Sequence, residues 1–463
     1  MAYIMYRNKR YNTGRMTLYG IVEATPNVTG NTINGLPNIT KFKIPNGITV
    51  IGNNAFQDCT TLTDVSIPDS VTTISRAAFR GCTGLTSIDI PNGVTSIGDE
   101  AFYGCTGLTG IDIPDGVTSI DNEAFYGCTS LTSVDIPDSV TSIGDGAFRS
   151  CSSITSVSIP DNVTTIGANV FEDCISLTSI DIPDGVTSIG DNAFYHCTSL
   201  ISIDIPDSVT TISNSTFQLC SSLTSVDIPE SVTSIGNYAF YHCTSLTSID
   251  IPGSVTSIGS RAFDGCTDLT SVNISNGVTT ISNHAFQGCE SLTSIDIPDS
   301  VTSIGYGAFY NCISLTSIDI PGNVTSISDS TFSNCTGLTS VNISNGVTSI
   351  GMQAFLGCES LTSIDIPGSV TTIGNNAFAD CTNLTSVNIS NGVATIGDNA
   401  FTDCESLTSI AIPTSVTSIG EYAFAYCTAL RNVYYSGTQS EWQSITIGAG
   451  NRSLINATIH YNS

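Results

Sequence analysis

Residues 177–199 read LTSIDIPDGVTSIGDNAFYHCTS, and the same 23-residue pattern recurs along most of the chain. A fixed period of this length is the sequence signature of a stacked repeat architecture. Seventeen repeats fill residues 39–429 without insertion, and all seventeen cysteines fall on one ladder with a step of 23, from Cys59 to Cys427. A phenylalanine lies three residues before each of these cysteines. The period therefore predicts a repeat solenoid.

Each repeat contains one clear strand pattern. Ile180 and Ile182 alternate with Ser179 and Asp181, which is the signature of a half-buried strand, and Pro183 ends it. The apolar positions then continue through a glycine-rich corner that favours short turns or 3₁₀ elements over a full helix. The pattern predicts one parallel β-strand per repeat, with turns on the opposite side. A single repeat cannot bury its apolar face alone, so stability depends on the stack.

The repeat, written L-x-x-I-x-I-P-x-x-V-T-x-I-G-x-x-A-F-x-x-C, resembles the BspA-like leucine-rich repeat, a family of bacterial and protozoan surface proteins. The matching positions are Leu177, Ile180, Ile182, Pro183, Ile189, Gly190, Ala193, Phe194 and Cys197. The resemblance implies a right-handed, curved leucine-rich-repeat coil with strands on the concave side and turns on the convex side. It also implies adhesion or host-protein binding, and residues 433–462 are similar to the segment that closes such arrays.

The chain is expected to have three parts. Residues 1–38 form a basic, tyrosine-rich N-terminal cap or attachment segment, residues 39–429 form the repeats, and residues 430–463 form a C-terminal cap. The first part carries Arg7, Lys9, Arg10 and Arg15 against a single acidic residue, Glu23. Because its charge differs from that of the repeats, we expect it to attach the array or to mediate homo-oligomerisation.

Charge excludes several kinds of partner. The 40 acidic and 12 basic residues give a net charge of −28, which argues against binding to nucleic acid or to an anionic membrane surface. No run approaches the ~18 apolar residues of a membrane span, so no membrane insertion is expected. The resemblance implies a cell-surface or extracellular location. The N-terminus shows no secretory signal, which leaves a virion-associated or cytoplasmic location open.

A stripe of aspartates is the first candidate binding surface. It occupies outward strand positions on the expected concave face, and a second acidic file follows three residues later in each repeat. The stripe consists of Asp89, Asp112, Asp135, Asp181, Asp204, Asp227, Asp250, Asp296, Asp319 and Asp365, and the first nine are the candidate binding residues. One interpretation is a docking surface for a Lys/Arg-rich partner, and another is a solubilising face copied by duplication. Weak Ca²⁺ binding to the stripe is a further alternative.

A row of tyrosines is the second candidate surface. The residue after the repeated phenylalanine varies, and it is tyrosine at Tyr103, Tyr126, Tyr195 and Tyr241. Tyrosines on the convex edge of a solenoid can anchor a partner. Tolerated variation on an exposed turn is the alternative interpretation.

Neither the cysteines nor any sequence motif predicts a catalytic or metal-binding function. Each cysteine occupies the same inward position beside a phenylalanine, and parallel Cβ directions on stacked coils are unsuited to disulfides, so we expect buried free thiols. No CxxC pair, nucleophile elbow, phosphate loop or zinc-protease motif occurs. We therefore predict no enzyme activity, no metal site and no cofactor.

Three repeats, starting at Leu269, Leu338 and Leu384, depart from the common pattern. They replace the DIPD-like segment with NISN, and each ends in Cys-Glu-Ser, which indicates copying of multi-repeat cassettes. The favoured function is a binding solenoid that engages a protein or glycan on a host or neighbouring cell. The alternative is a structural or assembly component, for example of a virion, anchored through the N-terminal segment.

Overall fold

The computed structural model describes residues 40–44 and 46–462 in full, and residues 3–6, 9–12 and 27–28 by their backbone. The chain divides into two compact bodies, residues 1–226 (the N-terminal body) and residues 227–463 (the C-terminal body). Each body is a parallel β-solenoid in which one 23-residue repeat forms one coil. Equivalent residues of successive coils stack in columns, so the predicted fold class is confirmed.

The first strand of each coil is the strand that the alternation predicts. In Ser133–Asp135 the side chain of Val134 is buried between Ile111 and Val157 of the paired strands, and its two neighbours are exposed. At residue 89 an isolated parallel bridge from Asp89 to Asp112 takes the place of a strand. The first strands are Lys41–Lys43, Asp64–Ser66, Gly110–Asp112, Ser133–Asp135, Ser156–Ser158, Ser179–Asp181, Ser202–Asp204, Ser225–Asp227, Ser248–Ile251, Ser271–Ile274, Ser294–Ile295, Ser317–Ile320, Ser340–Ile343, Ser363–Ile366, Ser386–Ile389, Ser409–Ile412, Asn432–Tyr435 and Thr458–Tyr461.

A second strand of two residues follows in each coil, where the sequence predicted only one strand. Its isoleucine points into the core, as Ile120 does between Ile97 and Ile143. Two residues are too short for a visible alternation, which is why the pattern did not reveal it. The second strands are Asn27–Val28, Val50–Ile51, Thr73–Ile74, Ser96–Ile97, Ser119–Ile120, Ser142–Ile143, Thr165–Ile166, Ser188–Ile189, Thr211–Ile212, Ser234–Ile235, Ser257–Ile258, Thr280–Ile281, Ser303–Ile304, Ser326–Ile327, Ser349–Ile350, Thr372–Ile373, Thr395–Ile396, Ser418–Ile419 and Thr446–Ile447.

The remainder of each coil, which we call the turn edge, is hydrogen-bonded without forming a helix. Alternate N–H groups bond within the coil and to the next coil: that of Ala101 reaches the carbonyl of Gly98 at 3.1 Å, and that of Phe102 reaches Ala124 at 2.7 Å. Positive φ angles, such as 55° at Glu100, turn the chain so that this alternation is possible. The turn edge is thus a third ladder between neighbouring coils.

A column of phenylalanines and a column of cysteines fill the core. Within the N-terminal body, consecutive rings from Phe56 to Phe217 stack nearly parallel, for example Phe102 on Phe125 with centroids 5.4 Å apart. All seventeen cysteines are buried free thiols, as predicted for their inward position. The thiol of Cys151 donates to the carbonyl of Phe125 in the preceding coil, with Sγ and O 3.1 Å apart.

Strands also occur outside the repeats, toward both ends of the chain. The N-terminal segment, predicted to be a cap or attachment, lies largely outside the described residues. Its described backbone comprises an antiparallel pair, Tyr3–Tyr6 with Lys9–Asn12, and a strand, Asn27–Val28, parallel to Val50–Ile51. At the C-terminus, two four-residue helices, Gln439–Trp442 and Arg452–Ile455, lead to Thr458–Tyr461, which pairs with Asn432–Tyr435. These contacts support the proposal that residues 430–463 cap the array.

Candidate binding surfaces

The predicted aspartate stripe lies on the first-strand face. In the N-terminal body Asp112 pairs in register with Asp89 and Asp135, and Asp181 pairs with Ser158, while each preceding Val or Ile is buried. We call Asp89, Asp112, Asp135, Asp181 and Asp204 the first acidic column, and all five side chains are exposed. Paired strands are ~4.8 Å apart, so these carboxylates repel by ~1 kcal/mol per neighbour even in water.

A second acidic column runs beside the first. Its members in the N-terminal body lie at the turn after the first strand and are exposed: Asp69, Asp115, Asp138, Asp161, Asp184 and Asp207. Side chains of both columns, among them Asp112 and Asp115, border a shallow cavity of about 330 Å³. Between residues 81 and 226 the only Lys or Arg is Arg149, which lies on the turn edge. Between residues 81 and 226 the first-strand face therefore has a dense negative charge without a basic neighbour, whereas the first strand of this body, Lys41–Lys43, places two lysines on the same face, and Lys41 pairs with Asp64 at 3.0 Å.

The corresponding face of the C-terminal body is less acidic. The predicted Asp227, Asp250, Asp296 and Asp319 are exposed there as well. Asp250 pairs with Asn273 and Asp319 pairs with Asn342, so asparagines dilute the column. Its last members are Tyr434 and His460, whose rings stack with centroids 4.9 Å apart.

The tyrosines predicted as anchors are half-buried on the turn edge, and two of them are already engaged. The rings of Tyr103 and Tyr126 stack with centroids 4.5 Å apart. The guanidinium of Arg80 lies 4.2 Å from the Tyr103 centroid, and that of Arg149 lies 5.5 Å from the Tyr126 centroid. Arg149 also bonds Glu172 at 2.8 Å. Burial, together with Tyr126, raises the pKa of Tyr103, and Arg80 opposes this shift.

The other two tyrosines contact histidines. Tyr195 lies beside His196, whose Nδ1 is 2.8 Å from a carboxylate oxygen of Asp173. In the C-terminal body the ring of Tyr241 meets His242 edge-on at 4.3 Å. The four tyrosines thus differ in environment, and the structure does not form them into one continuous surface within either body.

A groove on the turn edge of the C-terminal body was not predicted. It has a volume of about 360 Å³ and its floor includes Ser330 and Ser333, which are 5% and 1% exposed. Its lining is His284, Gln287, Tyr306, Tyr310, Ser330, Ser333, Asn334, Gln353 and Leu356. We call it the Ser333 groove. The available sequence signal was Tyr306, which occupies a column that in most coils holds Asn or Asp.

The described residues offer no metal site of the usual kind. Among residues 40–44 and 46–462, no three His, Cys, Asp or Glu side chains are close enough to share a metal ion. In the same part of the chain, neither four-residue helix has the length and apolar character needed to cross a bilayer.

Comparison with known proteins finds leucine-rich-repeat proteins. The sequence profile described as "BspA type Leucine rich repeat region" matches residues 31–155, 141–270, 256–381 and 348–449. A leucine-rich cell surface protein of Faecalibacterium prausnitzii A2-165 is 36% identical, over 63% of this chain and 90% of that one, with a TM-score of 0.41. A leucine-rich-repeat protein of Bacteroides ovatus is 26% identical, over 100% of this chain and 90% of that one, with a TM-score of 0.39. No curated protein matches the chain.

Proposed function

The chain belongs to the BspA-type leucine-rich repeat family, and from this premise we propose that it is a non-enzymatic binding protein. Its partner is a protein with a Lys/Arg-rich surface, held on the first-strand face of the N-terminal body. The observation that carries the proposal is the pair of acidic columns, which place ten exposed aspartates between residues 81 and 226 with no basic residue on the same face of that stretch.

Order in the strands favours binding by this face. Each first-strand aspartate extends from backbone that is paired on both sides, as at Asp135, whose strand bonds those of Asp112 and Ser158. A preformed surface loses little conformational entropy on association. A single-sign charge field also accelerates encounter with an oppositely charged partner, and this effect weakens as salt screens the field.

The two bodies supply an internal control for the experiment. In one variant Asp112, Asp135, Asp181 and Asp204 are replaced by Asn, and in the control variant Asp250, Asp296, Asp319 and Asp365 are replaced instead. Both should fold, because the same column already holds asparagine at three positions of the C-terminal body. These positions are Asn273, Asn342 and Asn388.

Binding of a lysine-rich and an arginine-rich peptide is measured by biolayer interferometry at three salt concentrations, with a scrambled acidic peptide as the blank. We expect the N-terminal variant to bind at least tenfold more weakly and with a flatter salt dependence, and the control variant to change less than threefold. Equal weakening in both variants would show that peptide binding depends on the net charge of the chain and not on this face. Undiminished binding by the N-terminal variant would exclude this face.

We also propose that the protein acts at the cell surface, because a rigid binding face serves adhesion only where a partner can reach it. Antibody staining of intact cells should label the protein without permeabilisation. Recovery of the protein in purified particles, with no staining of intact cells, would favour the assembly role instead.

A further inference from the structure

We propose that the Ser333 groove is a binding site for a neutral saccharide, which would place one pyranose ring between Tyr310 and Leu356. This site is on the turn edge of the C-terminal body and shares no residue with the acidic columns of the N-terminal body. It adds a second, glycan-binding activity to the one proposed above.

The groove exists because small residues interrupt two columns of larger ones. In the column after the phenylalanines, Ser333 stands between Tyr310 and Leu356. In the column three residues earlier, Gly307 and Ser330 stand between His284 and Gln353. Small residues occur at other places in one column or the other, such as Gly146 and Ala379, but only at Ser330 and Ser333 are both positions of one coil small, so the notch is local.

The width of the notch suits one ring. Neighbouring coils here are about one strand spacing apart, since the stacked core rings of Phe309, Phe332 and Phe355 have centroids 5.4 Å apart at each step. Two steps of ~4.8 Å place Tyr310 and Leu356, two coils apart in the same column, roughly 10 Å from each other. A ring in van der Waals contact with both walls needs ~3.5–4 Å on each side. One layer therefore fits and two do not.

The lining offers the groups that recognise hydroxyls. Amides come from Gln287, Asn334 and Gln353, and hydroxyls come from the serines and tyrosines. Asn334 is oriented by a hydrogen bond of 3.1 Å from its Nδ2 to the Tyr310 hydroxyl. The ring of Tyr306, 46% exposed, is held by an edge contact with His284 at 4.9 Å. Aromatic faces combined with a few fixed polar groups are the usual composition of small-ligand sites.

The charge of the groove selects a neutral occupant. No Lys, Arg, Asp or Glu lines it, which contrasts with the acidic remainder of the chain. Burial, with a smaller effect from Arg261, lowers the pKa of His284, which favours the uncharged form of this ring. A sialylated or phosphorylated ligand would find no cation here, whereas an uncharged hexose would bury its apolar face against Tyr306 or Tyr310.

Two substitutions test the site while keeping to residues that the chain itself uses. Ser333→Tyr fills the notch with the residue found in the same column at Tyr310, and Tyr306→Asn restores the column's residue at Asn283. Thr402→Tyr is the matched control, because it adds the same ring to the same column outside the groove. Thermal melting by circular dichroism verifies that each variant is folded.

Saturation-transfer NMR is recorded with methyl β-D-glucopyranoside, methyl β-D-galactopyranoside and methyl α-D-mannopyranoside, with N-acetylneuraminic acid as the charged comparison. We expect transfer to at least one neutral glycoside and none to the acid. Ser333→Tyr should abolish the transfer, Tyr306→Asn should weaken binding at least tenfold, and Thr402→Tyr should change neither. The four-aspartate variant of the N-terminal body should still bind the glycoside, which separates the two proposals.

Absence of transfer to all three glycosides, or equal transfer in the Ser333→Tyr variant, would overturn the proposal. Binding of p-cresol that Ser333→Tyr blocks, without glycoside binding, would also overturn it and would assign the groove to an aromatic side chain of a protein partner.

Discussion

At the scale of single residues, the cysteine column has a chemical reason beyond its size. The carbonyl of Phe171 accepts two hydrogen bonds, from the N–H of Cys174 and from the thiol of Cys197, each at 3.1 Å. A buried thiol is a small apolar group with a weak donor, so it fills the core and also bonds this carbonyl. The inward position was predictable from the spacing. The partner was not, because the donor and acceptor lie 26 residues apart on different coils.

These thiols should make the fold sensitive to alkaline pH. Burial raises the pKa of Cys174, Cys220, Cys335 and Cys381 from 9.0 to about 12. A raised pKa stabilises the native state fully below the unfolded value, and this stability is lost as pH rises toward the folded value. We expect the free energy of unfolding, and with it the urea midpoint, to fall as the pH rises from 9 toward 12, because ionisation of a buried thiol is opposed only in the folded state.

The double variant Cys174→Ala and Cys220→Ala should show a shallower fall than the parent protein, since two titrating thiols are gone. A urea midpoint that stays constant from pH 9 to pH 11 would contradict buried neutral thiols. Titration of the denatured protein without reductant should find all seventeen.

Ile201 is an exposed residue whose replacement should stabilise the chain. In the equivalent column the Thr178 hydroxyl donates to the Thr155 carbonyl at 3.1 Å, whereas Ile201, 51% exposed, has no hydroxyl for the Thr178 carbonyl. Ile201→Thr restores the common residue and its hydrogen bond. We expect a gain of ~0.5–1 kcal/mol, the net value of one such bond, measured by urea denaturation. Thr178→Ile should have the opposite effect.

At the scale of elements, the sequence predicted the strands better than the turns. The first strands were readable because their alternation is long enough to see, and their register follows from the constant period. The turn-edge ladder was not readable, because positive φ angles occur there at residues as different as Glu100, His196 and Leu219. Their conformation is imposed by hydrogen bonds to the next coil, which local propensity does not report.

Besides their shared ancestry, the three NISN coils have a structural constraint in common, a close backbone approach to the preceding coil. Each contains a glycine with a positive φ, such as 126° at Gly277, at which a Cβ would overlap the carbonyl oxygen of Gly253 in the preceding coil. The same overlap recurs for Gly346 with Gly322 and for Gly392 with Gly368. Each NISN coil therefore follows a coil that has Pro-Gly at the corresponding turn. The two glycines that approach each other occur together in all three cases.

Gly277→Ala should consequently be costly. We expect a loss of several kcal/mol, because both the φ angle and the overlap oppose a side chain. The control is Gly288→Ala, where φ is 65° but the nearest atom to a Cβ is 3.7 Å away, so only ~1–2 kcal/mol of backbone strain applies. Both variants are compared by thermal melting. Equal losses of stability would show that the close approach is unimportant.

At the scale of the whole molecule, the proposed binding surface arises because each copied repeat adds one more residue to every surface column. A column of one residue type arises whenever a repeat is copied, so a single aspartate becomes a charged stripe without further selection. Within each body the predicted stripe residues therefore lie in one column, whereas the tyrosines, drawn from a variable column, contact an arginine in two cases and a histidine in the other two. The Ser333 groove depends on departures from the repeat, so the repeat pattern does not predict it.

Charge repulsion along the stripe should appear as a salt effect on stability. With a net charge of −28, we expect the melting temperature to rise with NaCl as screening weakens repulsion between neighbouring carboxylates. Replacing Asp112 and Asp135 by Asn should raise it at low salt and leave it nearly unchanged at 1 M NaCl. A melting temperature independent of salt in the parent protein would mean that solvent already screens the columns.

In the last coil of the array, the closing segment supplies hydrogen-bond partners that the next coil supplies elsewhere. Inside the C-terminal body each phenylalanine N–H bonds to the next coil, as Phe401 does to the carbonyl of Ala423 at 2.8 Å. Phe424 has no further coil, and its N–H instead meets Oδ1 of Asn451 at 2.9 Å. The Nδ2 of Asn451 bonds the carbonyls of Gly420 and Gly448 at 2.8 and 2.9 Å.

One buried side chain, 1% exposed, thus replaces the backbone of a missing coil. Asn451→Ala should cost ~2–4 kcal/mol, because it removes the hydrogen-bond partner of the Phe424 N–H and of the carbonyls of Gly420 and Gly448. Asn456→Ala, at an exposed position in the same segment, is the control and should be nearly neutral. Hydrogen exchange should show the loss first in the last coils, since coils of a solenoid contact only their neighbours. Uniform loss of protection across the C-terminal body would indicate that its coils unfold as one cooperative block and that the closing segment sets the stability of them all.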